Sequence, residues 1–368
     1  MNIPFVSIGK QFEPLKEEFI QVFKEIGASG QYIMGEALED FENEIANYCE
    51  TKYALGLANG SDALFLALKA MNIGEGDEVI TCPNSFIASA WVIESTKAKT
   101  VFVDCAEDYN IDVNKIEDAI TSKTKAILPV HLTGRPAHMD EINNIAKKNG
   151  LRVLEDSAQA IGAKYKGKRV GGLGDAAGFS LHPLKNLGVI GDGGVFTTND
   201  EHLYETVKKL RNHGLKNRDE CELWGFNSRL DALQARIASI KLKHLDNWNN
   251  RFREIADIYR ENLSDIVVTP IDLDHEEPVY HNFVIRVEAE IRDKLMDFML
   301  SKGVETKIHY PIPIHLQECS KNLEYKAGDF PRTEAYAKEM ISLPIYPELN
   351  DSEIDIVINT LKDFFNKI

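Results

Sequence analysis

The 368-residue sequence has few cysteines, no long apolar run and many fewer basic than acidic side chains. Its five cysteines are an odd number, lie far apart and show no paired metal-ligand spacing, which is typical of a reducing compartment. No apolar stretch is long enough to span a bilayer, and the first residues show no basic-then-apolar signal. The sequence therefore predicts a cytoplasmic protein with neither a metal nor a membrane partner.

The shortage of basic side chains gives a formal net charge of −16 at pH 7. This charge argues against nucleic acid as the main partner, because the phosphate backbone would be repelled. It does not exclude a small anionic substrate, which needs only a local basic pocket.

Strands alternate with helices over the first two thirds of the chain, which is typical of an α/β fold with a mostly parallel central sheet flanked by helices. The predicted strands of this sheet are 53–57, 78–81, 100–103, 126–130, 152–155, 177–181 and 194–197. Helices are predicted at 13–26, 37–49, 199–212, 230–245, 246–263 and 291–302, and from residue 352 onward.

The predicted helix 246–263 leads into a smaller C-terminal α+β domain. Strands are expected in it at 281–287 and near 305–308. We therefore expect a large domain over residues 1–245, which includes the N-terminal segment, and a small domain over residues 246–368.

Lys185 follows a buried strand, in a turn of small and neutral residues that Pro183 begins. A pocket of low polarity disfavours the ammonium form of a lysine, and a neutral amine can bond covalently to an aldehyde. The alternative is a solvated lysine in a surface loop.

Another apolar strand runs directly into Glu155 and Asp156. The carboxyl ends of parallel strands line the ligand crevice of doubly wound folds, so both acids are expected to face a ligand. A carboxylate there can keep the ring nitrogen of pyridoxal phosphate protonated. The alternative for Asp156 is a helix N-cap.

Residues 57–68 read as a loop that enters a helix. Asn59 or Ser61 can cap this helix, and Gly60 allows a ligand to approach the backbone. Helix N-termini bind phosphate, although many ordinary helices begin in the same way. With Asp156 and Lys185, this segment would complete three anchors for pyridoxal phosphate.

The sequence resembles the DegT/DnrJ/EryC1/StrS family of sugar aminotransferases, a branch of the fold-type I pyridoxal phosphate enzymes. The matching segments are 59–64, 155–160, 179–187, 191–194 and 225–235, in the family's order and over nearly the whole chain. The resemblance implies pyridoxal 5'-phosphate as cofactor and Lys185 as the catalytic residue. The cofactor-binding residues that it implies are Gly60, Ser61, Phe86, Asp156, Gln159, Ser180, Lys185 and Asn227.

The resemblance also implies a homodimer with shared active sites, in which Asn227 completes the phosphate site of the partner and Arg229 lies near the substrate. The substrate contacts that it implies are Tyr32, Arg229, His309, Tyr310 and His315. From the residues alone, Phe86 could belong to the core, Arg229 could cap the next helix, and residues 309–315 could form a proline-stiffened connection.

The implied activity is amino transfer, with glutamate as the expected donor and a nucleotide-linked keto sugar for surface polysaccharide, such as lipopolysaccharide, as the acceptor. One alternative acceptor is an oxidised eight-carbon ulosonic acid of the 8-amino-3,8-dideoxy-octulosonate type, whose carboxylate Arg229 or Arg135 would bind. The other alternative is a regulator that binds the cofactor without catalysis.

Overall fold

A computed structural model describes residues 2–367 of the chain. The helices of these residues are α1 (Ile8–Phe12), α2 (Lys16–Ser29), α3 (Glu36–Tyr48), α4 (Gly60–Ala70), α5 (Ala88–Ser95), α6 (Met139–Asn149), α7 (Glu201–Leu210), α8 (Ala232–Leu242), α9 (Leu245–Leu263), α10 (Ala289–Ser301), α11 (Pro331–Glu339) and α12 (Asp351–Phe365). The strands are β1 (Tyr53–Leu57), β2 (Glu78–Thr81), β3 (Lys99–Phe102), β4 (Thr124–Ile127), β5 (Arg152–Asp156), β6 (Lys164–Tyr165), β7 (Lys168–Arg169), β8 (Ala176–Ser180), β9 (Gly194–Thr198), β10 (Glu276–Glu277), β11 (Phe283–Arg286) and β12 (Met340–Leu343).

The central sheet has seven strands in the order β1-β9-β8-β5-β4-β2-β3. All neighbouring pairs are parallel except the two that involve β9, which runs antiparallel to β1 and β8. The predicted α/β class is therefore confirmed, and each predicted strand of this sheet is present. The fourth differs most, since it begins at Thr124 and ends at Ile127.

Helices cover both faces of this sheet, which explains why its inner strands are apolar on both sides. Within β8, Ala176 packs in the core on one face, whereas Phe179 packs in the core on the other. The side chain of Phe179 is fully buried, and such burial contributes about 1.5–3 kcal/mol to stability.

The start of α4 lies against the ends of β8 and β9 without intervening side chains. A Cβ atom on Gly194 would lie 2.2 Å from the backbone carbonyl carbon of Asn59, and one on Gly60 would lie 2.8 Å from the Cβ of Ser180. Only glycine permits such close backbone approaches. These two glycines therefore bring the N-terminus of α4 to the edge of the sheet.

The C-terminal part of the chain has its own hydrophobic core, to which α9, α10, α12 and the β11–β12 pair contribute. The prediction of a strand near 305–308 was wrong. Lys307 makes only an isolated bridge to Ser342, because the regular partner of β11 is β12. Ile3 also packs in this core, so the N-terminal segment reaches the C-terminal part of the chain. The boundary at residue 245 stays a prediction.

A second connection between the two parts is the small sheet β10-β6-β7, in which β10 pairs antiparallel with β6. Among the described residues, no helix is long and apolar enough to cross a membrane.

Candidate active site

The parallel pair β5 and β8 places two polar side chains at one edge of the central sheet. Asp156 ends β5 and pairs in register with Gly178, and Ser180 ends β8 two residues later. Lys185 lies in the turn that follows β8, where its amide donates to the carbonyl of His182. The predicted grouping of Asp156, Ser180 and Lys185 thus follows from strand order.

The N-terminus of α4 faces Ser180 at the same edge. The Asn59 side chain caps α4 by accepting a hydrogen bond from the amide of Asp62 at 2.8 Å. This cap leaves the first amides of the helix, at Gly60 and Ser61, free of side-chain partners in the described structure. Free amides at the positive end of a helix, next to the Ser180 hydroxyl, suit a phosphate group.

Asp156 is 5% exposed and is held by hydrogen bonds to both carboxylate oxygens. Ser89 donates its hydroxyl to Oδ2 at 2.7 Å, and the amide of Ala158 donates to Oδ1 at 3.2 Å. Burial raises the pKa of this carboxyl group, while these hydrogen bonds and the nearby Lys185 act to lower it.

Glu155 does not face the crevice, which corrects the expectation from the sequence. Successive side chains of a strand point to opposite faces, so Glu155 and Asp156 cannot share one site. Glu155 is fully buried and accepts hydrogen bonds from His131 Nε2 at 3.0 Å and from the amides of Gly171, Leu173 and Gly174 at 2.8–3.0 Å. It therefore holds the loop before β8 instead of a ligand.

Lys185 has a pKa lowered to about 8, because burial disfavours the ammonium form while Asp156 partly opposes this effect. Its Nζ atom lies 3.5 Å from His281 Nε2. Burial and Lys185 hold the pKa of His281 well below its usual value and lower that of His309 to about 4. Both imidazoles are therefore neutral near pH 7. The surface-loop interpretation of Lys185 is incompatible with this environment.

The turn that carries Lys185 is fixed from behind by Asn186. Its Nδ2 atom donates to Asn249 Oδ1 at 2.9 Å and to the carbonyl of Val279 at 3.0 Å. The buried Lys241 also donates to the carbonyl of Gly188. The segment that follows Lys185 is thus held in place by hydrogen bonds at Asn186 and Gly188.

Gln159, Tyr310 and Phe86 lie together on the open side of Asp156. Gln159 Nε2 donates to the Tyr310 hydroxyl at 3.0 Å, and its Oε1 accepts from the amide of Thr133 at 2.7 Å. The rings of Tyr310 and Phe86 are 5.8 Å apart, and Phe86 is 53% exposed. Phe86 is therefore free to contact a ligand and does not belong to the core.

The other predicted site residues differ in their exposure and in their distance from Lys185. Tyr32 is 55% exposed, Asn227 is exposed, and Arg229 donates to Asn212 Oδ1 at 3.0 Å. His315 is buried, where its Nε2 lies 3.1 Å from Glu334 and its ring packs on Phe330. The side chain of His315 is thus enclosed by Glu334 and Phe330 inside the protein. His309 lies near Lys185, and its Nδ1 is 2.8 Å from the Ser342 hydroxyl.

Three residues of the site were not predicted from the sequence. Ser89 binds Asp156, His281 lies beside Lys185, and Thr133 orients Gln159. Ser89 follows Phe86 by one helical turn, so its position on the same face was a usable signal. His281 and Thr133 come from distant segments, and only the tertiary fold brings them here.

The residues present fit pyridoxal phosphate. A helix N-terminus with a glycine that permits close approach, a buried carboxylate and an amine with a lowered pKa match the phosphate, the ring nitrogen and the aldehyde respectively. Ser180, Asp156 and Lys185 would hold these three groups, and Phe86 and Gln159 would contact the ring.

Comparison with known proteins shows the class to which this fold and site belong. The model of the DegT/DnrJ/EryC1/StrS aminotransferase family matches residues 13–362. The chain belongs to this family and is an aminotransferase, so the resemblance seen in the sequence is confirmed.

Two relatives are 45% identical to the chain. One is a "dTDP-3-amino-3,6-dideoxy-alpha-D-galactopyranose transaminase" of Aneurinibacillus thermoaerophilus, aligned over 98% of this chain and 99% of that protein. The other is a "Pleiotropic regulatory protein" of Geobacillus stearothermophilus, aligned over 99% of both chains.

Solved structures agree with this membership. DesV of Streptomyces venezuelae has a TM-score of 0.97 at 40% identity and aligns with 100% of this chain and 99% of its own. NtdA of Bacillus subtilis, solved with its cofactor PMP, has a TM-score of 0.94 at 31% identity, over 99% of this chain and 85% of its own. The predicted fold and the predicted cofactor, pyridoxal phosphate, are thereby confirmed, whereas the individual site residues stay predictions.

Replacing Ser89 with alanine should weaken cofactor binding about tenfold. The change removes a hydrogen bond to a buried carboxylate, which is worth roughly 1.5 kcal/mol, and it favours the protonated form of Asp156. The dissociation constant of pyridoxamine phosphate, measured by calorimetry, tests this. Ser95→Ala, at the exposed end of the same helix, is the control and should bind as the wild type does. Equal affinity in both variants would contradict the role of Ser89.

Capture of pyridoxal phosphate by the cofactor-free protein should accelerate with pH, reach half of its maximal rate near pH 8 and level off about one pH unit higher. Only the neutral amine of Lys185 reacts, and its pKa is lowered to about 8. Stopped-flow absorbance measures the rate, with Lys185→Ala as the blank and Lys243→Ala, at an exposed lysine, as the matched control. A rate that still rises at about pH 10 would indicate an ordinary lysine.

Proposed function

We propose that the protein transfers an amino group from glutamate to the 3-keto group of a nucleotide-linked sugar used for surface polysaccharide. The observation that carries this proposal is the convergence of Lys185, Asp156 and the N-terminus of α4 on one sheet edge. The acceptor is inferred from relatives named as transaminases of dTDP-linked and UDP-linked 3-amino sugars, including one of Acidithiobacillus ferrooxidans. The role in polysaccharide is supported by the spore coat polysaccharide protein SpsC of Bacillus subtilis, which is 37% identical.

The cofactor, when bound, supplies an aldehyde that bonds to amines and a ring that withdraws electrons from the adjacent carbon. The Lys185 amine would accept the proton that leaves the α-carbon of the amino donor and, as the ammonium, would return it to the carbon on the other side of the transferred nitrogen. The neutral imidazole of His281 lies with its Nε2 atom 3.5 Å from Lys185 Nζ and orients this amine. Asp156 stays in place through Ser89 and favours a protonated ring nitrogen.

Of the two arginines suggested to bind the carboxylate of an ulosonic acid, Arg135 is already bonded within the protein. Arg135 Nε donates to the buried Glu276 at 2.6 Å, and its Nη2 donates to the carbonyl of Ile271. The Nε and Nη2 atoms of this guanidinium therefore both donate hydrogen bonds inside the protein. Arg229, which is half-buried and bonded to Asn212, is the arginine that remains for a substrate carboxylate or phosphate.

A regulatory role is the second candidate, because one relative at 45% identity is named as a pleiotropic regulatory protein. The complete set of Lys185, Asp156 and Ser180 favours catalysis, since a protein that only binds the cofactor does not need a neutral lysine amine.

We also propose that the active form is a homodimer. Exposed aromatic side chains flank the predicted shared residues: Phe226 is 38% exposed next to Asn227, and Trp224 is 95% exposed. Tyr32 and Phe23 line a common groove of about 370 Å³. A second subunit that covered these surfaces would remove them from water and bring Asn227 to the partner's phosphate site.

The purified holoprotein should lose its visible cofactor band when glutamate is added, and a dTDP-linked 3-keto sugar should restore the band. Lys185→Ala should abolish both changes, because it lacks the amine that moves the proton, while Lys243→Ala should retain them. Absorbance and mass spectrometry of the sugar product measure the two half-reactions.

The remaining outcomes of this assay discriminate between the candidates. Turnover of only an eight-carbon ulosonic acid would replace the nucleotide sugar as the acceptor. A bound cofactor that responds to no amino donor would favour the regulator.

Mixing two inactive variants should restore activity if the sites are shared. In the proposed dimer, Lys185 and Asn227 of one site come from different subunits. A mixed dimer of Lys185→Ala and Asn227→Ala therefore has one intact site out of two. About half of the dimers are mixed, so the activity should be roughly a quarter of that of the wild type. Sedimentation confirms that dimers form, and activity is assayed after co-expression. A Lys185→Ala and Ser180→Ala mixture is the control, because both changes lie in one subunit's share of the site and cannot complement. Equal activity of the two mixtures would contradict shared sites.

A further inference from the structure

A second cluster of polar side chains lies apart from the Lys185 site. His138 precedes α6, His275 precedes β10, and Glu276 is the first residue of β10. One potential ligand atom from each of these three residues lies within 4.8 Å of the other two. The Glu276 side chain is fully buried, whereas both imidazoles are partly exposed.

One oxygen of Glu276 has no partner. Its Oε2 atom accepts from Arg135 Nε at 2.6 Å, but its Oε1 atom is buried without any hydrogen bond and lies 3.8 Å from His275 Nε2. Buried carboxylate oxygens are normally hydrogen-bonded or bound to a cation. The free oxygen faces His275, which belongs to the same cluster, so it indicates a missing positive partner.

Asp108 adds a second buried oxygen of this kind. Its Oδ2 atom lies 3.3 Å from His138 Nε2, yet it has no hydrogen bond. Two carboxylates with unpartnered oxygens thus flank two imidazoles. This arrangement places two imidazole nitrogens beside two carboxylates, and Arg135 contacts only the far oxygen of Glu276.

We propose that His138, His275 and Glu276 bind a divalent transition-metal ion, with Zn²⁺ as the best match. Two imidazoles and one carboxylate are an established ligand set for zinc, whereas Mg²⁺ and Ca²⁺ prefer oxygen ligands. Zinc bonds of about 2.0–2.2 Å would require the two partly exposed imidazoles to rotate toward Glu276. Arg135 orients the carboxylate from behind, as groups in contact with metal ligands do, and Asp108 provides a partner for His138 or a fourth ligand.

A metal at this position would join two segments that support the active site. Arg135 belongs to the loop in which Thr133 binds Gln159 and Gly134 accepts from the amide of Val279. Glu276 lies shortly before Val279 in the same strand-and-turn segment. The metal is thus structural and does not depend on the proposed substrate.

Calorimetric titration of the cofactor-loaded, metal-free protein with ZnCl₂ tests this site. The wild type should bind one Zn²⁺ per chain, and its thermal midpoint should rise with Zn²⁺. His275→Ala and His138→Ala should each weaken this binding by more than about tenfold. His202→Ala, at an exposed histidine of α7, is the matched control and should bind as the wild type does.

Absence of Zn²⁺ binding in the wild type would overturn the proposal, as would unchanged affinity in both histidine variants. Thermal midpoints measured in EDTA show whether the variants fold. If an alanine variant fails to fold, Glu276→Gln replaces it, because the amide keeps the contact volume and removes the charge. Loss of the Zn²⁺ site in that variant supports the proposal, and retention overturns it.

Discussion

The parallel pairing of β5 with β8 is the constraint on which the site depends. It aligns Asp156 with Gly178 and so places Ser180 and the Lys185 turn beside the buried carboxylate. No local preference of either strand could do this, because residues more than twenty positions apart must end at the same edge. The close contact of α4 with β9 then adds the helix N-terminus to that edge.

A second layer holds this edge in position, and most of it is polar. Glu155 fixes the loop before β8, Thr133 orients Gln159, and Asn186 ties the lysine turn to α9. Buried polar groups stabilise a single arrangement only if their partners are present, so this layer defines the geometry more sharply than apolar packing would. The lowered pKa of Lys185 follows from the same burial.

Much of the fold could be predicted from the sequence, because strand periodicity and turn residues are local signals. Hence the seven strands of the central sheet were found, and Lys185 was placed in the turn after β8, where the structure has it. The prediction of a strand at 305–308 was wrong, because an apolar-polar pattern does not reveal whether a neighbouring strand is available. Glu155 was misplaced because the expectation that strand ends face the crevice was applied to two adjacent residues, whose side chains point to opposite faces of β5.

Residues that meet only in the tertiary structure were beyond the reach of sequence patterns. His281 reaches Lys185 across nearly a hundred positions, and His138 meets His275 in the same way. None of these three histidines carries a local signal that distinguishes it from an ordinary surface residue. Conversely, His315 has a motif-like setting but packs on Phe330 inside the protein.

The antiparallel strand β9 also has a consequence for folding kinetics. It pairs with β1, which ends before α4 begins, so the chain between Leu57 and Gly194 must be closed as a loop before these two strands can meet. Such long-range pairing carries a high entropic cost and slows folding. Because Gly194 contacts Asn59, the phosphate end of the site forms only with this late pairing. The nascent chain must therefore be synthesised at least through Thr198 before the N-terminus of α4 can meet β9.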